Sequence, residues 1–470
     1  MGTINTAFDL ISSALDADQS GLSIVANNVA NANTPGYTIE QPNWQENSPV
    51  QINGVDYGTG VTQTGPVSVR DRVLETRLDQ QQQLAASSTS RLTALNTVQS
   101  LFTPDSGNSA SSAGDIGADI TSFFNSFSSL EANPTDNALR QNVLSTATTL
   151  AGDISNAAAG LDLQRSALDQ EAAGVTTQVN ALSNSIAQLN VEIQSDSPHA
   201  DAGILEDQRQ QDLSQLSQLI GINQVTTENN GLSVTTTSGQ LLVSENSSFP
   251  LTTSSVGGVT HFFINGTDVT SQLATGGGSL GGYLTARDQD IPNALASLDQ
   301  LANSISTSVN TQNNAGTDLA GDNGNAGDIF SQPTGVAGSA LAMSVAMTDP
   351  NHIAAAGLGQ GTGDNSNAVA LANLANQGIV SGKSPTNYFS SFVSTLGATV
   401  SYVQTENTAQ NASVTQLQTQ NDALSAVSLD DEASAMTMLE RSYQASSQVF
   451  TIINTIMASA LNLGTQTTVS

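Results

Sequence analysis

The sequence predicts a mainly α protein with a small β insertion, drawn out into an elongated multidomain shaft whose two chain ends form coiled-coil helices. Three observations carry this expectation. Both ends place apolar residues on alternating four- and three-residue steps, the middle holds long amphipathic stretches, and one interior segment changes to an alternating, turn-punctuated texture.

The composition sets the bounds. The chain has 470 residues, room for several domains, but only 38% are hydrophobic and 4% aromatic, so thin cores built from helical stripes are expected. The net charge is −31, from 41 acidic and ten basic residues, and Lys383 is the one lysine. Without clustered Lys and Arg to displace counterions from phosphates, nucleic acid is excluded as a partner, and the acidity reads as solubility through self-repulsion. There is no cysteine, hence no disulfide framework and no thiolate metal site. No apolar run approaches the roughly 20 residues of a membrane helix, so no membrane insertion is expected. The first basic residue is Arg70, so the N-terminus has no charged region of the kind a cleavable secretory signal carries.

The N-terminal segment 1–30 carries a seam of Ile4, Phe8, Ile11, Leu15, Leu22, Val25 and Val29, with Asp18 at its one polar step. The C-terminal segment 430–470 repeats the spacing in Met436, Leu439, Tyr443, Phe450, Ile453, Met457 and Ala460, with Ser446 as the polar step. Such a/d seams pack helix on helix. They fit either an intramolecular pair or docking to neighbouring subunits. Chain ends not tied to a core tend to stay mobile until partners arrive, so these helices are expected to order on assembly. Asp430, Asp431 and Glu432 sit at the second helix's start, where carboxylates complement the helix dipole. Asn33-Thr34-Pro35-Gly36-Tyr37 then turns the chain after the first helix, Pro fixing φ at one corner and Gly accepting positive φ at the next.

Residues 37–69, punctuated by Pro and Gly, read as short strands or extended loop. Helical patterns resume near Arg72, with Leu92, Leu95, Val98 and Phe102 on one face, and a Ser/Gly/Asp linker follows from Pro104 to Gly114. Ile116, Ile120, Phe123, Phe124, Phe127 and Leu130 form another apolar face. From Thr135 to about Ser195 the pattern fits one long helix or two stacked ones, roughly 90 Å if unbroken. Gly160 and Gly174 are its weak points, and Val175, Val179, Leu182, Ile186, Leu189 and Ile193 make a clean seam. Leu205 to Ile220 is a further helix. Within 221–282 the texture changes: Leu232–Thr237 and Leu241–Ser244 flank Ser238-Gly239, and Asn265-Gly266 follows Phe262–Ile264, a hairpin signal. The expected layout is therefore terminal helices at 1–30 and 430–470, a helical shaft at 31–220 and 283–429, and a β domain inserted at 221–282.

Chemistry is sparse. His199, His261 and His352 stand far apart with no ligand-like neighbour at helical spacing, and each reads as a surface or satisfied histidine. Gly276 to Gly281 formally fits a dinucleotide fingerprint but lacks its βαβ unit, so a flexible hinge is the better reading. Gly382-Lys383-Ser384 imitates the end of a phosphate loop, with Gln377 where its first Gly belongs. Asp318, Asp322, Asn323, Asn325 and Asp328 could surround calcium, but the EF-hand spacing fails and a solvated loop is preferred. No catalytic set, cofactor site or metal site is expected.

The run from Asn27 through Asn31, Asn33, Thr34, Pro35, Gly36 and Tyr37 resembles the signature of flagellar rod, hook and hook-associated proteins. Ser442 to Phe450 resembles its C-terminal counterpart. Inside the chain, Phe123 to Phe127 with Asn133-Pro134 and Ala138-Leu139-Arg140, Leu189 to Ile193, Leu205 to Arg209, Gly281 to Asp288, Asn310 to Phe330 and Asp349-Pro350 resemble the family of the first hook-associated protein in collinear order. The departures are a short β insertion and few basic residues. The resemblance implies a structural subunit of the bacterial flagellum, with both termini in the inner layer of a hollow tube. It would be exported unfolded without a cleaved signal and would form a ring outside the cell at the hook–filament junction. Its neighbours would be the hook protein and the next hook-associated protein, and an export chaperone would cover the C-terminal seam beforehand. A hook or distal-rod subunit is the first alternative and a flagellum-associated wall hydrolase the second. The long paired helices argue against the former, and the lack of any singled-out carboxylate pair against the latter.

Overall fold

The computed structural model describes residues 2–52, 54–103, 116–196, 201–332 and 334–466. Along the chain run α1 (Gly2–Asn31), β1 (Glu40–Glu46), β2 (Val50–Ile52), β3 (Val55–Tyr57), β4 (Val61–Ser68), α2 (Arg72–Ser100), α3 (Ile116–Ala132), α4 (Asn137–Asp196) and α5 (Ile204–Leu219). Then come β5 (Ile222–Thr226), β6 (Leu232–Thr236), β7 (Leu241–Ser244), β8 (Ser247–Ser248), β9 (Leu251–Val256), β10 (Val259–Ile264) and β11 (Thr267–Asp268). The rest is α6 (Thr270–Gly276), α7 (Gly278–Thr285), α8 (Ile291–Asn314), β12 (Gly316–Thr317), α9 (Ser339–Ala342), β13 (Ala356–Gly357), α10 (Ser366–Asn373), α11 (Pro385–Ser425) and α12 (Leu429–Gln466). The protein is mainly α, and its chain divides into two compact units. The expected linker at 104–114 and His199 lie outside the described residues.

The first unit comprises residues 1–83, 178–251 and 411–470. Here α1 packs along α12, and the antiparallel β1–β4 pair lies beside α1, with a bulge between Pro42 and Trp44. Gly21 is where these elements close up: a Cβ there would stand 3.1 Å from Leu439 and 3.3 Å from Trp44. The same unit holds the last part of α4, α5 and the sheet β5-β6-β7-β8. Val179, Ile186, Leu189 and Ile193 of α4 are buried, as their spacing predicts. Among them sits Asn190, fully buried, which donates to the carbonyls of Leu232 and Glu245 and accepts from Arg209. A buried polar side chain on an apolar stripe is tolerated only when its bonds are met, and here they fix the sheet to the helix.

The second unit comprises residues 84–177 and 252–410. Its core is an aromatic cluster: Phe123 stacks near Phe124, Phe127 and Phe330 with ring centroids 5.1 to 5.3 Å apart. Val143, Ala147, Leu150, Ile154 and Leu161 of α4 and Leu298, Leu301, Ile305 and Val309 of α8 complete it. The glycines of α4, Gly152, Gly160 and Gly174, do not break it. Gly160 is a close contact, because a Cβ there would meet the Leu101 side chain at 3.0 Å.

The segment 221–282 is not one β domain. Its strands form two sheets, β5–β8 in the first unit and β9-β10-β11 in the second, and it ends in the helices α6 and α7. Pro250 stands between β8 and β9; lacking an N–H, it cannot continue a ladder, and the chain leaves one sheet for another there. The hairpin at Asn265-Gly266 does form, with φ of 50° and 76° and Ile264 paired to Thr267, the backbone a type I′ turn demands. Nor are Gly276 to Gly281 a loop: Gly276 ends α6, Gly278 to Gly281 open α7, and only Gly277 between them is non-helical, at φ 100°. Neighbouring Gly282 lets α7 touch α2, where a Cβ would fall 2.3 Å from the Ser87 carbonyl.

Candidate assembly interface

Most of the N-terminal seam is used inside the chain. Val25 is buried, Phe8, Ile11, Leu15 and Leu22 are half-buried, and Phe8 meets Phe450 at 4.9 Å between centroids. On α12, Met436, Leu439, Phe450, Ile453 and Met457 are half-buried on the same side. The polar interruptions face one another: Ser446 Oγ lies 3.5 Å from Asp18 Oδ2, and Asp18 is buried. A single polar pair in an apolar seam pins the register, since sliding by one turn would set each group against hydrocarbon. In the single chain both ends are helical and paired, the seam of each supplying an internal partner for the other. Val29 and Tyr443 stay exposed, and the side chains of Ile4 and Ala460 lie outside the described residues.

A second apolar stripe on α12 escaped the sequence reading. Met438, Val449, Ile452 and Ile456 are 71%, 42%, 57% and 51% exposed. With Ala445 between them they follow the heptad spacing of the buried seam, displaced around the helix. The period was legible, but which stripe faces inward was not, because two offset apolar stripes on one helix satisfy the same template.

The Asn33–Tyr37 turn is built as expected, and its purpose is local. Tyr37 N–H donates to the Thr34 carbonyl at 3.2 Å across Pro35 and Gly36, the latter at φ 80°. Behind it Asn28, 1% exposed, donates to the Glu40 carbonyl at 2.8 Å and accepts from the Glu40 N–H at 3.0 Å and the Tyr37 hydroxyl at 2.8 Å. The asparagine-rich signature therefore clamps the end of α1 to the start of β1. Burial and the nearby carboxylates of Glu40, Asp207 and Glu432 push the Tyr37 phenol up, so it stays a donor. Beyond the turn, Thr38 N–H donates to Asp207, Ser68 to Asp201, and Arg70 pairs with Asp207 while Arg72 pairs with Glu206. Around this joint burial raises Glu75 to about 7, with Arg70 opposing, and Asp79 to about 6, against hydrogen bonds from Gln210 and Gln224.

The motif arginines of the second unit are structural. Arg140 donates to the carbonyls of Pro134 and Ile353, and Arg287 to Asp169, Asp288 and the Thr260 carbonyl, both guanidiniums being buried. Burial lowers Arg140 to about 10. For Asp169, burial pushes up but the bonds from Thr260 and Arg287 prevail and its pKa is lowered.

His352 is not isolated. Its Nδ1 lies 2.7 Å from buried Asp318 Oδ2 and 3.6 Å from Asp322, and its pKa is raised chiefly by the Asp318 bond. Tertiary folding brought together groups more than thirty residues apart. The surrounding loop meets its own polar groups: Asp318 accepts from Asp322 N–H, Asn323 from Gly359 N–H, and Asp328 from Asn314. Asp318, Asp322 and His352 form the one group with ligand-like spacing among the described residues. No described helix is long and apolar enough to cross a membrane.

Residues 105–330 match the family described as the flagellar hook-associated protein FlgK helical domain, and residues 9–38 match the flagella basal body rod protein family. Flagellar hook-associated protein 1 of Escherichia coli (strain K12) is 25% identical, covering 96% of this chain and 98% of its own length. The Bacillus subtilis (strain 168) protein of the same name is 25% identical over 96% of each chain. The solved structure of the flagellar hook junction protein FlgK from Burkholderia pseudomallei matches with a TM-score of 0.65 at 19% identity, over 75% of this chain and 100% of that one, so the fold is shared. With the turn signature, the helical core and these matches, the chain is similar to flagellar hook-associated protein 1 along nearly its whole length.

Proposed function

We propose that this protein is a structural subunit of the bacterial flagellum that connects hook to filament, with the pair α1–α12 as its assembly element. The observation that carries this reading is the second stripe on α12. Its first stripe is occupied by α1, while Met438, Val449, Ile452 and Ile456 stay in water. Exposed apolar surface arranged at heptad spacing marks an interface rather than chance exposure. Copies of this chain form a closed ring through that stripe, with the exposed Val29 and Tyr443 at its margins. The hook protein lies on one side and the next hook-associated protein on the other. Before assembly the stripe needs cover, and an export chaperone supplies it; export proceeds without a cleaved signal to a position outside the cell. The terminal helix and its turn are shared with rod proteins, as the match over 9–38 indicates, whereas the helical domain over 105–330 favours the junction over rod or hook. The family is structural rather than catalytic.

Deletion of the gene in its own host tests the reading. Bare hooks with flagellin released into the medium are expected. Intact filaments would refute a junction role, and loss of the hook itself would move the protein to the rod or hook.

A further inference from the structure

Within the second unit, α8, α11 and the end of α2 enclose an open groove of about 320 Å³. Leu95, Ala294, Tyr388, Phe392 and Leu396 give it a largely apolar wall, and Lys383 stands at it. The wall is rigid: Phe392 packs edge-on against Phe102, centroids 4.9 Å apart, and Leu95 and Leu396 are buried.

The lysine is held with equal care. Val380 and Lys383 bond to each other in both directions across a two-residue turn, Ser381 at φ 50° and Gly382 at φ 80°. A serine in the left-handed region is costly and is kept only where the surroundings enforce it. Ser384 follows as the cap of α11 and Pro385 opens its first turn, which accounts for the Gly-Lys-Ser sequence without any phosphate. Lys383 Nζ donates to Ser391 Oγ at 3.0 Å and has no ion-pair partner among the described residues. The groove's own carboxylate, Asp290, is taken by Arg91 through two bonds of 2.8 and 3.0 Å. The groove therefore presents apolar walls and one uncompensated positive charge, on a chain whose net charge is −31.

From this we infer that the Lys383 groove is the concave half of a contact between copies: it receives from a neighbouring copy a segment bearing a carboxylate beside an apolar side chain. The inference rests on the proposed ring. A ring interface joins two different surfaces of the same chain, so each copy must offer one receiving face. Charge selects the occupant, since 41 carboxylates stand against ten cations in every copy, and the one lysine is placed where an acidic neighbour gains most.

The sole lysine makes the test direct. Hook–filament junctions isolated with this full-length chain are treated with a water-soluble carbodiimide, which joins an amine to a carboxylate in direct contact, and separately with a dihydrazide plus a triazine reagent that activates carboxylates, which bridges two carboxylates without needing lysine. The expected result is a chain–chain dimer under carbodiimide whose cross-linked peptide contains Lys383, reduced at least tenfold by Lys383→Arg. That variant keeps the charge and cannot form the amide under these conditions. Lys383→Glu, with an unchanged circular dichroism spectrum, is expected to lower junction occupancy where Lys383→Arg does not. Dihydrazide dimers with Lys383 unlinked, or linked to a different flagellar protein, would overturn the groove assignment and leave the ring standing. No chain–chain product with either reagent would overturn the ring itself.

Discussion

Asn28 uses both ends of its carboxamide on the backbone of Glu40, and this is where the signature acquires physical meaning. In Asn28→Ala two buried backbone groups lose their partners at once, each costing about 1–3 kcal/mol. A marked fall in the thermal midpoint is expected, with greater proteolysis between Asn31 and Glu40. Wild-type behaviour would show that the turn closes without the clamp. Glu75 sets a pH dependence nearby. Its carboxyl is raised from 4.5 to about 7, so the fold favours the protonated form. That stability is fully present below about 4.5 and is lost as pH rises through about 7; Asp79, raised to about 6, acts in the same direction. Thermal unfolding is therefore expected to show a lower midpoint at pH 8 than at pH 5.5, reflecting a stability loss on the order of 1–3 kcal/mol. Glu75→Gln flattens part of that slope, and an unchanged slope in the variant would assign it elsewhere. In the sequence Asn28 stands inside the signature run and Glu75 is an ordinary polar position on a helix. Their roles were not legible there, because burial of a carboxylate depends on what folds over it.

At the scale of elements, α12 is a helix with two apolar stripes and one internal partner. Replacing Ile452 and Ile456 together with Asp alters surface positions, so the isolated protein should keep its helicity and its midpoint should move little. Assembly should fail, leaving bare hooks on the cell. If filaments persist, the second stripe is not an interface. Burial along α1 is uneven: Ala17, Ile24, Val25 and Asn28 are buried, whereas Phe8 to Leu15 are not fully covered. Amide exchange in the isolated chain is expected to be slow from Ala17 to Asn28 and fast before Leu15, with the earlier part becoming slow on assembly. Uniform protection from Phe8 to Val29 in the monomer would show that assembly completes nothing. Heptad spacing made both helices legible, whereas the choice between an internal and an external partner for each stripe required the packed pair.

For the molecule as a whole, charge is the dominant quantity. Seven arginines, Arg70, Arg72, Arg91, Arg140, Arg165, Arg209 and Arg287, are engaged in ion pairs or hydrogen bonds within the units, and the net −31, which already counts all ten cations, is an excess of carboxylates left without a counter-charge. Self-repulsion is screened over roughly 10 Å at 0.1 M salt. The thermal midpoint is accordingly expected to rise as sodium chloride goes from about 10 to about 150 mM. A midpoint that falls with salt would mean that the internal ion pairs outweigh the surface repulsion.

The sequence by itself determined the mainly α class, the terminal seams, the Pro-Gly turn, the Asn-Gly hairpin and the likeness to flagellar hook-associated proteins. Each of these is written in period, in special backbone angles, or in a collinear run of motifs, all of which are local. Only the tertiary structure decided that Pro250 parts two sheets, that Gly160 and Gly282 make close contacts, that Asp18 faces Ser446, that His352 meets Asp318, and that Lys383 stands at a groove without an ion-pair partner among the described residues. These depend on which distant side chains share a space, and close packing fixes that only when the whole chain is in place.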